Sequence, residues 1–164
     1  MNWSRFLPVV LILFVTSLSS CAPQLSGYRD QSAPIGATTR FDAQQFSGQW
    51  IIAASFTPQK KAPITFVRAP EGAGLRVSTN EIPRIAGFYR EGVPGELIPL
   101  LAEQETLVVM WVDDDFRTAA IGTASGSLGL VLDREGELPA DRAQAVRDIL
   151  DFYGWDTSQL KRTY

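Results

Sequence analysis

The 164-residue chain has no histidine and a single cysteine, Cys21. Without an imidazole the commonest general base is missing, and with it go the Ser-His-Asp and Cys-His nucleophilic pairs and most zinc sites. One thiol cannot close an intrachain disulfide or build a thiolate metal site, so the fold has to rest on its apolar core. No paired carboxylates and no Ser-Lys motif occur at a spacing from which catalytic geometry can be argued, so the chain reads as a non-enzyme without cofactor. Positive charge is scarce too. The formal net charge is −3 and no basic cluster is present, which argues against nucleic acid as a partner and against attraction to anionic lipid.

A long membrane-spanning run is also lacking. Phe6–Leu18 is apolar, but at about 13 residues, with Pro8 inside it, it falls short of the roughly 20 that a span needs. A start carrying Arg5, an apolar stretch and then small residues is the layout of a processing signal. Leu18-Ser19-Ser20-Cys21 resembles the lipobox of bacterial lipoproteins. The resemblance implies a diacylglyceryl group on the Cys21 sulfur, removal of residues 1–20 and acylation of the new amine. Loss of Arg5 with that signal takes the net charge from −3 to −4. One acyl chain holds a protein at a membrane only marginally, whereas two or three hold it essentially permanently. Ala22 in place of an aspartate implies, by the sorting habit of enteric bacteria, an outer-membrane protein facing the periplasm. Residues 21–40, rich in Pro, Gly, Ser, Ala and Thr and without apolar periodicity, read as a lipidated tether. At ~3.3 Å per residue it would reach about 60 Å when fully extended.

Residues 41–164 form one domain in this reading. Short apolar or alternating runs recur about every ten residues between turn residues, the pattern of an all-β barrel or sandwich. Eight strands are expected, at 50–57, 63–69, 74–80, 85–91, 95–100, 106–112, 117–123 and 127–134, with gaps short enough for an antiparallel meander. Pro99 makes the fifth the weakest, because it cannot donate within a ladder. From Pro139 to Tyr153 the period changes: Ala143, Val146, Ile149, Leu150 and Tyr153 form one helical stripe, with Pro139 suited to the first turn and Gly154 to the end. A one-sided helix needs an apolar surface to cover, which here is the outside of the sheet.

This plan resembles the lipocalins, in particular the bacterial outer-membrane lipocalins related to apolipoprotein D, over residues 41–164. Gly48-Gln49-Trp50 at the start of the first strand resembles the G-x-W motif, whose tryptophan plugs the closed end of the barrel. Asp115-Phe116 resembles the D-Y-x-x-A segment between strands six and seven. Arg134 resembles the arginine that ends the last strand and packs across the motif tryptophan. "GWDTSQL" resembles the segment after the helix in bacterial members. The resemblance implies an eight-stranded antiparallel up-and-down barrel with a C-terminal α-helix packed outside, and a task of binding, storing or transporting a small hydrophobic ligand such as a fatty acid or lysophospholipid.

One departure stands out. Trp50 to Val108 covers 58 positions, fewer than a typical lipocalin uses for these strands, so a shallow cavity is one outcome. An eight-stranded barrel either fills with its own side chains or holds one small ligand, and both remain open here. In the second case Phe56, Phe66, Phe88, Tyr89, Trp111 and Leu130 are the candidate lining; in the first, the outer surface or rim docks an envelope partner. The acidic trio Asp113-Asp114-Asp115 lies at a turn, where aspartates bond locally, and lacks the ligand spacing of a calcium loop, so no metal is expected.

Overall fold

The computed structural model describes residues 27–69 and 74–164; the processing signal, the lipobox and Cys21 lie outside the described residues. A short helix α1 (Ala43–Phe46) precedes eight antiparallel strands: β1 (Gly48–Ser55), β2 (Pro63–Arg68), β3 (Leu75–Ser78), β4 (Gly87–Glu91), β5 (Glu96–Pro99), β6 (Leu107–Val112), β7 (Thr118–Thr123) and β8 (Gly129–Asp133). Each strand pairs with the next, and β1 pairs with both β2 and β8, which closes the barrel. The eight expected strands are all present; the first is shifted two residues towards the N-terminus, and the others are trimmed by a residue or more. A ninth strand, β9 (Lys161–Arg162), pairs with Ala54 and Ser55 on the upper half of β1, beyond the reach of β2. The sequence reading has neither α1 nor β9.

Helix α2 (Ala140–Phe152) runs along the outside over β6 and β7 and buries Ala143, Val146 and Leu150. The chain therefore has two apolar layers. One fills the barrel with Trp50, Ile52, Ile64, Phe66, Leu75, Val77, Tyr89, Leu97, Leu107, Val109, Ile121, Leu130 and Leu132. The other lies between the sheet and α2 and includes Phe56, Val108, Met110, Ala120, Val131 and Trp155. Trp155 fits there because Gly122 and Gly129, paired across β7 and β8, leave a slot; a Cβ on either would stand 2.5 Å from its ring.

The segment expected as a free tether is, from Gly27 onward, packed on the barrel. Tyr28 N–H donates to Gly126 O at 3.1 Å in the β7–β8 hairpin, and Asp30 N–H donates to Gly154 O at 2.8 Å after α2. The Arg29 side chain is buried and donates to the carbonyls of Tyr153 at 2.8 Å, Ala124 at 2.9 Å and Ala33. Ile35 and Ala37 pack on the outer apolar layer, Thr38 N–H donates to Val109 O at 2.8 Å, and Phe41 reaches the interior. The strap thus runs from the end carrying the β7–β8 hairpin to the opposite end. Among the described residues no helix is long and apolar enough to cross a membrane.

Candidate functional site

The closed end is built around Trp50, which no solvent reaches. Asp42 caps α1 by accepting from Gln44 N–H at 2.9 Å and Gln45 N–H at 2.8 Å, which turns the helix across the bottom of the barrel. The last carbonyls of a helix have no partner of their own. Here Trp50 Nε1–H donates to Phe46 O at 2.8 Å, and Arg134 donates to Gln45 O at 2.7 Å and Ser47 O at 3.1 Å. Arg134 also reaches Gln49 O at 2.9 Å and Phe116 O at 3.1 Å. Its Cζ lies 3.8 Å from the Trp50 ring centroid, the stacking that the sequence motifs imply. Burial lowers the pKa of this guanidinium from its ordinary value. Gly48 has φ +107°, and a Cβ there would stand 3.1 Å from Arg134 Nη1, so the motif glycine answers both a backbone and a space requirement.

Asp115, expected as the motif acid, is exposed and pairs with Arg117 at 2.8 Å. The carboxylate that organises this turn is the buried Asp113, which accepts from the N–H groups of Arg117 and Thr118, each at 2.6 Å. The sequence reading misses it because three aspartates stand in a row; the signal separating them is position, since Asp113 alone directly follows the apolar strand β6. Among the described residues no group of three or more potential metal ligands gathers.

The six candidate lining residues divide evenly. Phe66, Tyr89 and Leu130 point into the barrel. Phe56 points outward, its ring 4.8 Å from Trp155 and 5.6 Å from Tyr28. Trp111 packs, half-buried, against the outer layer, and Phe88 is 48% exposed, with Arg76 5.6 Å above its ring. These three are corrected from lining to the outward side of the sheet. Strand bulges turn Phe56 and Trp111 outward, and Phe88 faces out because its neighbour Tyr89 faces in.

The other end, the mouth, is closed as well. Ile82, Ile85 and Leu128 fold inward over the core. Side chains lace the mouth loops together: Arg84 to Ser127 O at 2.9 Å, Gln104 to the carbonyls of Arg84 and Ala86 at 3.0 Å each, Glu81 to Lys60 N–H at 3.3 Å, and Ser125 and Ser127 to Glu105. Tyr89 hydroxyl donates to Ile85 O at 3.0 Å, and burial raises its pKa to about 12. Between these ends, Ile64, Phe66, Leu75, Leu97, Leu107, Val109 and Leu130 have 0% exposure, so a water-sized sphere finds no room beside them even from within the barrel. A cleft of about 100 Å³ at the mouth, lined in part by Arg84, Ile85, Gln104 and Leu128, is below the ≈ 300–1,000 Å³ of ordinary ligand pockets. Larger clefts of about 520, 380 and 270 Å³ lie on the outside of the sheet. No model of a known protein family matches the chain, and no curated protein matches it in sequence.

Proposed function

We propose that this protein is a lipocalin-like barrel anchored to the bacterial outer membrane through an acylated Cys21, and that it works through its surface and rim as an interaction module rather than by catalysis. The observation that carries this reading is the interior: side chains with no exposure meet across the barrel, and both ends are stoppered. The buried acid Asp133 supports a non-catalytic role, since it is committed to Thr118 Oγ1 at 2.7 Å, Arg142 at 3.2 Å and the N–H of Glu135 at 2.9 Å. The mature chain, from residue 21 onward, is titrated with a fluorescent fatty acid and a fluorescent lysophospholipid. No saturable binding in the micromolar range is expected, and saturable stoichiometric binding overturns the closed-interior reading. Intact mass of the membrane-extracted protein tests the anchor separately, by the added mass of acyl groups on Cys21.

A second reading, carriage of a small hydrophobic ligand, is favoured by one observation. The interior cluster is apolar and includes Tyr89, whose hydroxyl is held by the mouth turn Pro83–Ile85. A ligand would enter there only by displacing Ile82, Ile85 and Leu128, and its apolar burial would have to offset the broken mouth lacing. The same titration separates the two readings.

A further inference from the structure

We propose that the barrel stands mouth-down on the bilayer, with a rim patch of Phe88, Leu100 and Leu101 seated in the lipid–water interface; this rests on the anchor reading above. Three observations converge on that end of the molecule.

The first is where the anchor leaves the barrel. Gly27 and Tyr28 lie against the β7–β8 hairpin, and Arg29 is held by three carbonyls, so the segment free to act as a tether is not 21–40 but at most 21–26. At ~3.3 Å per residue, the chain between Cys21 and Gly27 covers about 20 Å at full stretch. The eight residues of β1 run about 26 Å along the strand, which at a barrel tilt of about 35–45° raises the closed end about 20 Å above the mouth before the end loops are added. A tether no longer than the strands are tall, fixed at the mouth, keeps the mouth the nearer end.

The second is what that end exposes. Leu100 is 65% exposed, Leu101 54% and Phe88 48%, and they are neighbours, since Leu100 N–H donates to Phe88 O at 2.9 Å. Exposed leucines at a loop tip and an aromatic beside Arg76 are the side chains that partition into an interface. Val93, 61% exposed in the β4–β5 hairpin, lies at the opposite end.

The third is continuity. Glu105 bonds Ser125 and Ser127, which joins the Leu100–Leu101 loop to the hairpin that holds Tyr28. Strap, hairpin and apolar loop are thus joined at one end of the barrel, so seating the loop and tethering the strap are compatible in one pose.

With Cys21 acylated, an introduced cysteine is the one free thiol of the mature chain. The acylated protein, carrying a polarity-sensitive probe on Ala102→Cys at the rim or on Glu135→Cys at the closed end, is reconstituted in phosphatidylethanolamine and phosphatidylglycerol vesicles containing spin-labelled lipid. The rim probe is expected to be quenched several-fold more than the closed-end probe, and Leu100→Ser with Leu101→Ser is expected to bring it down to the closed-end level while the protein still floats with the vesicles. Acylated protein with an unquenched rim probe, equal quenching at both ends, or a double variant that changes nothing overturns the orientation alone. An intact mass without acyl groups removes the anchor reading and the orientation with it.

Discussion

At the scale of single residues, the closed end shows how one arginine does several jobs. Arg134 stacks on Trp50 and donates to carbonyls from α1, β1 and the β6–β7 turn, so its removal leaves helix-end carbonyls unpaired as well as losing the stacking. Arg134→Ala is expected to lower the unfolding free energy by about 2–4 kcal/mol in urea titrations. Arg134→Lys is expected to recover only part of this, because a point-charge ammonium cannot fork to carbonyls on several sides while stacking on an indole. Tyr89 gives a prediction with a defined pH window. Its hydroxyl is buried, with a folded pKa of about 12 against an ordinary 10.0. Folding then favours the protonated form: the contribution is fully present below pH 10 and is lost as pH rises from 10 towards 12, by about 2–3 kcal/mol. Tyr89→Phe is expected to cost about 0.5–1.5 kcal/mol at neutral pH for the lost bond to Ile85 O, and to flatten the alkaline decline. Thermal melts of both proteins between pH 8 and pH 11 check this.

At the scale of elements, strand number, order and the outer helix were legible because apolar runs, turn residues and the change of period at Pro139 are local signals. The facing of side chains was legible only where alternation is unbroken. Along β1, Trp50 and Ile52 face in, and plain alternation would put Phe56 with them; a register shift between Ile52 and Ala54 turns Ala54 and Phe56 outward. In β6 a second shift, between Val109 and Trp111, puts Met110 and Trp111 on the outer side and returns Val112 to the interior. Such an extra residue leaves no mark in composition, so both aromatics were misplaced by the same cause. The strap was hidden for another reason: its docking depends on one buried cation and on glycines at Gly126 and Gly154, where side chains would meet Arg29 and Ala33 at 2.6 Å. Arg29→Ala is therefore expected to release residues 27–40 while leaving the barrel folded. Limited proteolysis should then cleave after Tyr28 or Arg40 far faster than in the native chain, with the far-ultraviolet spectrum unchanged.

At the scale of the whole molecule, a short barrel and a closed interior are two sides of one geometry. Strands of four to eight residues leave few interior layers, and a stopper at each end occupies the outermost of them: Phe41, Phe46 and Trp50 below, Ile82, Ile85 and Leu128 above. Phe46 meets the rings of Phe41, Trp50 and Phe66 at 5.1, 4.9 and 4.9 Å, so the lower stopper continues directly into the middle of the barrel. What remains is filled by residues such as Leu97 and Ile121, which have essentially no exposure. If side chains rather than a guest occupy this space, removing one should create room that the native protein lacks. Leu97→Ala and Ile121→Ala, made singly, are each expected to cost about 2–5 kcal/mol and to leave a dry apolar cavity. Xenon or benzene should then shift the NMR methyl signals of Leu107, Val109 and Leu130 in the variants and leave those of the native chain unmoved. Equal shifts in the native chain would mean that the barrel already holds a cavity, and would move the balance towards ligand carriage.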